Sequence, residues 1–150
     1  EIIKKKYKYE IPGNIDIDPE AERLAGKYAK EEHDSDFIFI THYPFKDRPF
    51  YTMRSRENPE ETYGFDLIYK GMEIATGSQR VHLYDELIKN MKEKKISGKG
   101  MEFYLDIFKF AMPPHGGWGL GSERIIQQIL GLGSVKEAVL FPRDVKRLSP

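Results

Sequence analysis

Two acids, two arginines and a run of glycines carry the chemistry that can be read from this chain. Asp66 and Glu73 stand either side of Lys70-Gly71, a two-residue connection of the length and glycine content that closes a β-hairpin. In that register Tyr69 faces Met72, Ile68 faces Glu73 and Asp66 faces Ala75, so Asp66, Ile68, Glu73 and Ala75 share one side of the sheet. The two carboxylates are then diagonal neighbours about 7 Å apart or less, within joint reach of one cation. Such oxygen donors suit Mg²⁺ held partly by protein and partly by nucleotide phosphates. On pattern alone the pair reads first as acids on a solvated sheet face.

Gly119-Leu120-Gly121-Ser122-Glu123-Arg124 runs from an expected strand into an expected helix. Glycines admit close approach of backbone to a ligand, and a helix N-terminus offers N–H groups to an anion. Arg124 in the first turn could set its guanidinium fork on a phosphate. The string lacks the third glycine of a dinucleotide fingerprint and the Gly-Lys-Ser/Thr of a P-loop, so a tight turn is the competing reading. Gly77-Ser78-Gln79-Arg80 follows the acidic hairpin. Burying Arg80 next to an apolar strand calls for an anion, either a ligand or a structural carboxylate. The four histidines, at 33, 42, 82 and 115, have no metal-ligand spacing, and only His115, between Pro114 and the glycines, is placed to meet a ligand.

The elements that must position these groups follow from periodicity. Asp18-Pro19-Glu20 starts a helix, with Asp18 as its cap and Pro19 in its first turn. Ala21, Leu24, Ala25 and Tyr28 then fall on one face to about Glu32. Before it, residues 1–17 read as an irregular lead-in with a short strand. Strands are predicted over 36–43, 50–54, 63–69, 72–76 and His115–Gly121, with a short one at Val139-Leu140-Phe141. Helices are predicted over 82–94, 101–110 and from Ser122, its cap, to Gly131 or Gly133, with Ile125, Ile126, Ile129 and Leu130 inward. The sum is an α+β domain, an antiparallel sheet flanked by helices, without the strand–helix alternation of a doubly wound fold.

Composition narrows the classes. With 150 residues the chain has the size of one ordinary domain. The absence of cysteine excludes disulfide scaffolds, thiolate metal sites and a cysteine nucleophile. Twenty-four basic residues balance 24 acidic ones, so bulk charge gives no support to non-specific binding of nucleic acid. No apolar run approaches the length of a bilayer span, and the expectation is a cytoplasmic chain with no membrane association. It opens on Glu1 rather than Met, which reads as a processed start or a piece of something longer.

Taken in order, Phe65-Asp66-Leu67, Gly71-Met72-Glu73-Ile74, Gly77-Ser78-Gln79-Arg80, Pro113-Pro114-His115-Gly116-Gly117 and the segment 119–124 resemble the class II aminoacyl-tRNA synthetases of the aspartyl/asparaginyl/lysyl subgroup. Within it the likeness is to the archaeal aspartyl type, which Pro49-Phe50-Tyr51-Thr52-Met53 and the tail from Phe141 to Pro150 also fit. The resemblance covers residues from about 18 to 150, which it implies are a catalytic-domain portion with signature motif 3 at 119–124. It implies an aspartate–tRNA ligase that uses ATP and Mg²⁺, with aspartate and tRNA as further substrates, acting as a homodimer through an upstream segment.

It also implies roles. Asp66, Glu73 and Thr76 would hold the metal, and Thr76 stands where the family has serine. Thr76 and Arg80 would bind the amino acid, with Arg80 on its side-chain carboxylate. Glu73, Gly121, Ser122, Glu123 and Arg124 would bind ATP, with Glu73 and Arg124 catalytic. The alternatives are a non-catalytic fragment that binds a nucleotide or a partner, an asparaginyl-tRNA synthetase, and a related enzyme that forms asparagine. The family's first two motifs and an anticodon-binding barrel are not found in these residues.

Overall fold

A computed structural model describes residues 2–12 and 17–146. In chain order the elements are α1 (Ile2–Tyr7), α2 (Pro19–His33), β1 (Phe37–Thr41), β2 (Gly64–Tyr69), β3 (Met72–Arg80), α3 (Tyr84–Glu93), α4 (Glu102–Phe108), β4 (His115–Leu120) and α5 (Ser122–Leu130). The four strands form one antiparallel sheet in the order β1-β2-β3-β4, as the α+β reading expects. No described helix is long and apolar enough to cross a membrane.

The chain divides into two compact units, one of residues 1–39, 66–75 and 120–150, the other of 40–65 and 76–119. In the first, α2 forms as predicted. Asp18 Oδ1 accepts from the Ala21 amide at 2.8 Å, Pro19 takes the first position, and Ala21, Leu24, Ala25, Gly26 and Ala29 are buried. The small stripe matters. A Cβ on Gly26 would lie 2.4 Å from the Gly71 amide nitrogen, so α2 meets the β2–β3 turn backbone to backbone. That turn has Lys70 at φ 48° and Gly71 at φ 83°, the paired left-handed conformations of a two-residue hairpin loop.

The second unit has an aromatic-rich core. Met53, Val81, Leu87, Met91, Leu105 and Phe108 are buried together, with Phe50, Tyr51, Tyr84 and Tyr104 packed on them. The amphipathic spacing of α3 puts Leu87 and Met91 inside, while Leu83 stays half exposed.

Several expectations are corrected. Ile2–Tyr7 is a helix, not an irregular lead-in with a strand. It lies on α2 through Lys6, which pairs with Glu31 at 2.9 Å and with Glu32, and through the Tyr7 hydroxyl, which donates to Glu31. The Gly13-Asn14 part of the expected turn lies outside the described residues, as does the end of the tail from 147 on. Residues 50–54 make isolated bridges, Thr52 with Arg80 and Arg54 with Thr62, instead of a strand. Phe50 and Tyr51 are drawn onto the core, and packing overrides their strand propensity. Val139-Leu140-Phe141 forms no strand either. It follows a single turn of tight helix at Val135–Ala138, closed by a reciprocal bond pair between Ser134 and Glu137.

A hairpin glutamate held by α2 and α5

In the first unit the hairpin sets the two acids. Along β2, Asp66 and Ile68 are buried while Phe65, Leu67 and Tyr69 are partly exposed, and on β3 Ala75 is buried and Glu73 half-buried. Ile74 is buried too, so burial alone does not separate the faces of β3, and the register of Asp66 and Glu73 follows from the two-residue loop. Two further side chains reach Glu73. From α2, Glu22 accepts the Glu73 amide at 2.8 Å. From α5, Arg124 donates to the Glu73 carbonyl at 2.8 Å and stands 3.6 Å from its carboxylate. Glu73 is thereby held at its amide, its carbonyl and its side chain.

The electrostatics agree. Burial pushes the Glu22 carboxyl above the usual range. The bond from the Glu73 amide works against this, the negative charge of Glu73 adds to it, Arg124 offsets it, and Asp66 raises it again. Glu22 therefore senses both acids of the hairpin and the arginine of α5. Glu22 is not among the residues singled out from sequence. Its signal was positional: Glu22 precedes Ala25, Gly26 and Ala29 at helical spacing, an acid on an otherwise small, buried stripe.

The start of α5 differs from the expectation. Gly121, not Ser122, is the residue before the helix, and no side chain caps it. The Ser122 hydroxyl donates to Glu123 at 3.0 Å. That bond and the residue's own amide hold the Glu123 carboxyl below the usual carboxylate range. The Gly121 amide donates to the Ile74 carbonyl at 2.8 Å, which ties the glycine string to β3. Ile126, Ile129 and Leu130, expected inward, are exposed, and no residue of α5 is buried.

The second unit holds the remaining two candidates. The Thr76 hydroxyl accepts from Arg48 at 3.1 Å and donates toward the Phe65 carbonyl at 3.5 Å. Arg48, which was not singled out from sequence, lies with its guanidinium 3.6 Å from the centre of the Tyr43 ring. Arg80 rests over the Tyr51 ring at 4.5 Å and donates to the Gly117 carbonyl at 3.4 Å. Among the described residues it makes no ion pair. An open groove of about 600 Å³ runs past Arg80, Tyr51, Tyr104 and His115, and His115 Nδ1 lies 2.9 Å from the Pro113 carbonyl oxygen.

No group of three or more histidine or acidic side chains among the described residues is arranged to hold a metal ion. The donor set is a pair of hard carboxylates, which fits Mg²⁺ that completes its shell with water and phosphate oxygens, and does not fit an all-protein cage.

The family model described as tRNA synthetases class II (D, K and N) matches residues 1–145. The chain is 51% identical over its whole length to the aspartate–tRNA(Asp/Asn) ligase of Aeropyrum pernix, of which it covers 34%. It is 50% identical over 94% of its length to the aspartate–tRNA(Asp) ligase of Pyrococcus horikoshii, covering 32% of that protein. Among solved structures, the aspartyl-tRNA synthetase of Entamoeba histolytica superimposes with a TM-score of 0.91 at 33% identity, over 97% of this chain and 30% of that one. The asparaginyl-tRNA synthetase of Pyrococcus horikoshii gives 0.87 at 32% identity, over 99% and 34%. The chain thus spans about a third of the length of these curated relatives. A match that runs through the hairpin acids, Arg80 and the glycine string, on a fold that superimposes so closely, has one meaning: the chain belongs to the class II tRNA synthetases of the aspartyl, lysyl and asparaginyl group.

Proposed function

We propose that these residues supply the metal, ATP and amino-acid side of an aspartate–tRNA ligase active site. The observation that carries the reading is the grip on Glu73, whose carboxylate is held next to Arg124 at the open start of α5. The reaction is attack by the aspartate α-carboxylate on the α-phosphate of ATP, giving aspartyl-adenylate and pyrophosphate, followed by transfer of the aspartyl group to tRNA. Bound Mg²⁺ would supply neutralisation of phosphate charge, with Asp66, Glu73 and the Thr76 hydroxyl as the residues that hold it.

The chain's own groups bind and align. Gly121, Ser122 and Glu123 line the start of α5, a helix end with no capping side chain from its N-cap residue, and a helix N-terminus favours an anion such as ATP. Arg124 commits one terminal nitrogen to the Glu73 carbonyl and has further donors of its fork for the terminal phosphate. Arg80 is kept flat by the Tyr51 ring and meets the aspartate side chain, with Thr76 as a second contact to the amino acid. No protein nucleophile is required, since alignment and charge stabilisation do the catalysis. The proposal includes a homodimer in the cytoplasm, with residues 18–150 as a catalytic-domain portion and the third signature motif at 119–124.

A second reading, asparagine as the amino acid, is favoured by the likeness to the Pyrococcus horikoshii asparaginyl enzyme. ATP–pyrophosphate exchange separates them. Aspartate is expected to drive exchange well above asparagine, and Arg124→Ala to lower it by about a hundredfold or more. Exchange undiminished in Arg124→Ala would remove Arg124 from the machinery. ATP binding without any amino-acid-dependent exchange would favour a nucleotide-binding fragment.

A further inference from the structure

We infer that Glu22 is a positioning residue for Glu73: its carboxylate, carried by α2, fixes the Glu73 peptide so that the Glu73 side chain is presented to the metal–nucleotide complex. The inference rests on the reading of Glu73 as a ligand of Mg²⁺–ATP. Three observations support it. The bond from the Glu73 amide to Glu22 is 2.8 Å long and joins residues 51 apart in sequence, so it is a tertiary tie and no part of a local turn. Arg124 takes the carbonyl of the same residue at 2.8 Å, so the peptides on both sides of the Glu73 Cα are each fixed by a side chain from a different helix. Finally, α2 cannot drift from the hairpin, because Gly26, one turn after Glu22, lies against the backbone of Gly71. The amide-to-carboxylate bond is charge-assisted and directional, the kind that orients a liganding group without touching its ligand.

A side chain that only stabilises α2 would act on folding and leave metal affinity alone. The test is Mn²⁺ binding in the presence of ATP, followed by electron paramagnetic resonance, in the protein carrying these residues. Melting curves and the hydrogen-exchange rate of the Glu73 amide are measured alongside. Glu22→Ala is expected to weaken Mn²⁺–ATP binding by about tenfold and to speed exchange of the Glu73 amide. Glu22→Gln keeps an acceptor oxygen at the same place and is expected to restore both. Unchanged Mn²⁺ affinity in Glu22→Ala, with Glu73→Gln impaired, would overturn the inference alone. An equal loss in Glu22→Gln and Glu22→Ala would also overturn it, because charge and not the hydrogen bond would then be at work. Wild-type affinity in Glu73→Gln would overturn the reading of Glu73 as a ligand and the inference with it.

Discussion

Helices α2 and α5 both reach Glu73, and they are built on opposite principles. Helix α2 is secured along its whole length. Its first turn is capped by Asp18, five of its residues are buried, and its last turn closes on Asp34 in a left-handed conformation, whose amide donates to the carbonyls of Ala29 and Lys30. Helix α5 buries none of its residues and has no side-chain cap at its start. Its first turn is tied to β3 through the Gly121 amide on Ile74 and the Arg124 guanidinium on Glu73, and the helix packs on the tight turn at Val135–Ala138. One helix is a support whose polar ends are consumed by folding. The other opens on a glycine with no capping side chain, at the end where ATP is proposed to bind.

The sharpest way to break this contrast is at the glycines. Gly26→Ala places a methyl 2.4 Å from the Gly71 nitrogen and 2.6 Å from its Cα, where only backbone movement makes room. A loss of about 1–3 kcal/mol is expected in urea denaturation. The counterpart Gly121→Ala meets only the Arg124 side chain, at 3.4 Å or beyond, and the Ile74 carbonyl at 3.5 Å, and is expected to leave folding stability close to wild type. Equal losses at the two positions would erase the distinction.

A smaller effect separates the two helix starts. Asp18→Ala removes the acceptor of the Ala21 amide and is expected to lower the melting temperature by several degrees. Ser122→Ala removes a hydroxyl that bonds Glu123 and caps nothing, and is expected to leave the melting curve in place. A drop for Ser122→Ala as large as that for Asp18→Ala would restore Ser122 as a cap.

The smallest effect is a pH dependence at the residue that caps α2. The Tyr9 hydroxyl donates to Asp18 Oδ2 at 2.6 Å. That bond, helped by burial and by the nearby charge of Asp18, pushes the Tyr9 phenol up to about 12. An unfolded tyrosine ionises near pH 10, so the unfolded state loses its proton first. The Tyr9 contribution is therefore complete below about pH 10 and is lost as pH rises toward about 12. Tyr9→Phe is expected to be slightly less stable at neutral pH, and the difference from wild type is expected to close on the alkaline side. A constant difference across that range would show that the Tyr9–Asp18 bond does not govern it.

The parts legible in the sequence are those where one local rule decides. Asp18-Pro19 marked the start of α2, Lys70-Gly71 marked the hairpin, and the hairpin register put Asp66 and Glu73 on one face. The strand at 115–120 and the helix after it followed from the glycine run and the spacing of Ile125, Ile126 and Ile129. What escaped depended on partners distant in sequence. Lys4, Lys5 and Lys6 say nothing of a helix until Glu31 and Glu32 of α2 draw Lys6 down. Phe50 and Tyr51 carry strand propensity that the core of the second unit overrules. Arg48 acquires a place through partners distant in sequence, among them the Tyr43 ring and the Thr76 hydroxyl. The apolar stripe of α5 reads as an inward face because periodicity identifies a stripe without saying what lies against it.

The contact between Gly26 and Gly71 also turns the hairpin into a lever with its fulcrum at an unusual place. The tip of a two-stranded ribbon is ordinarily the end that wags. Here the tip is wedged against a helix, and Glu73, two residues from the wedge, sits where a lever travels least. Position 26 thereby sets the tolerance of a carboxylate on another element. A single methyl there is expected to displace the Glu73 peptide as well as to cost stability.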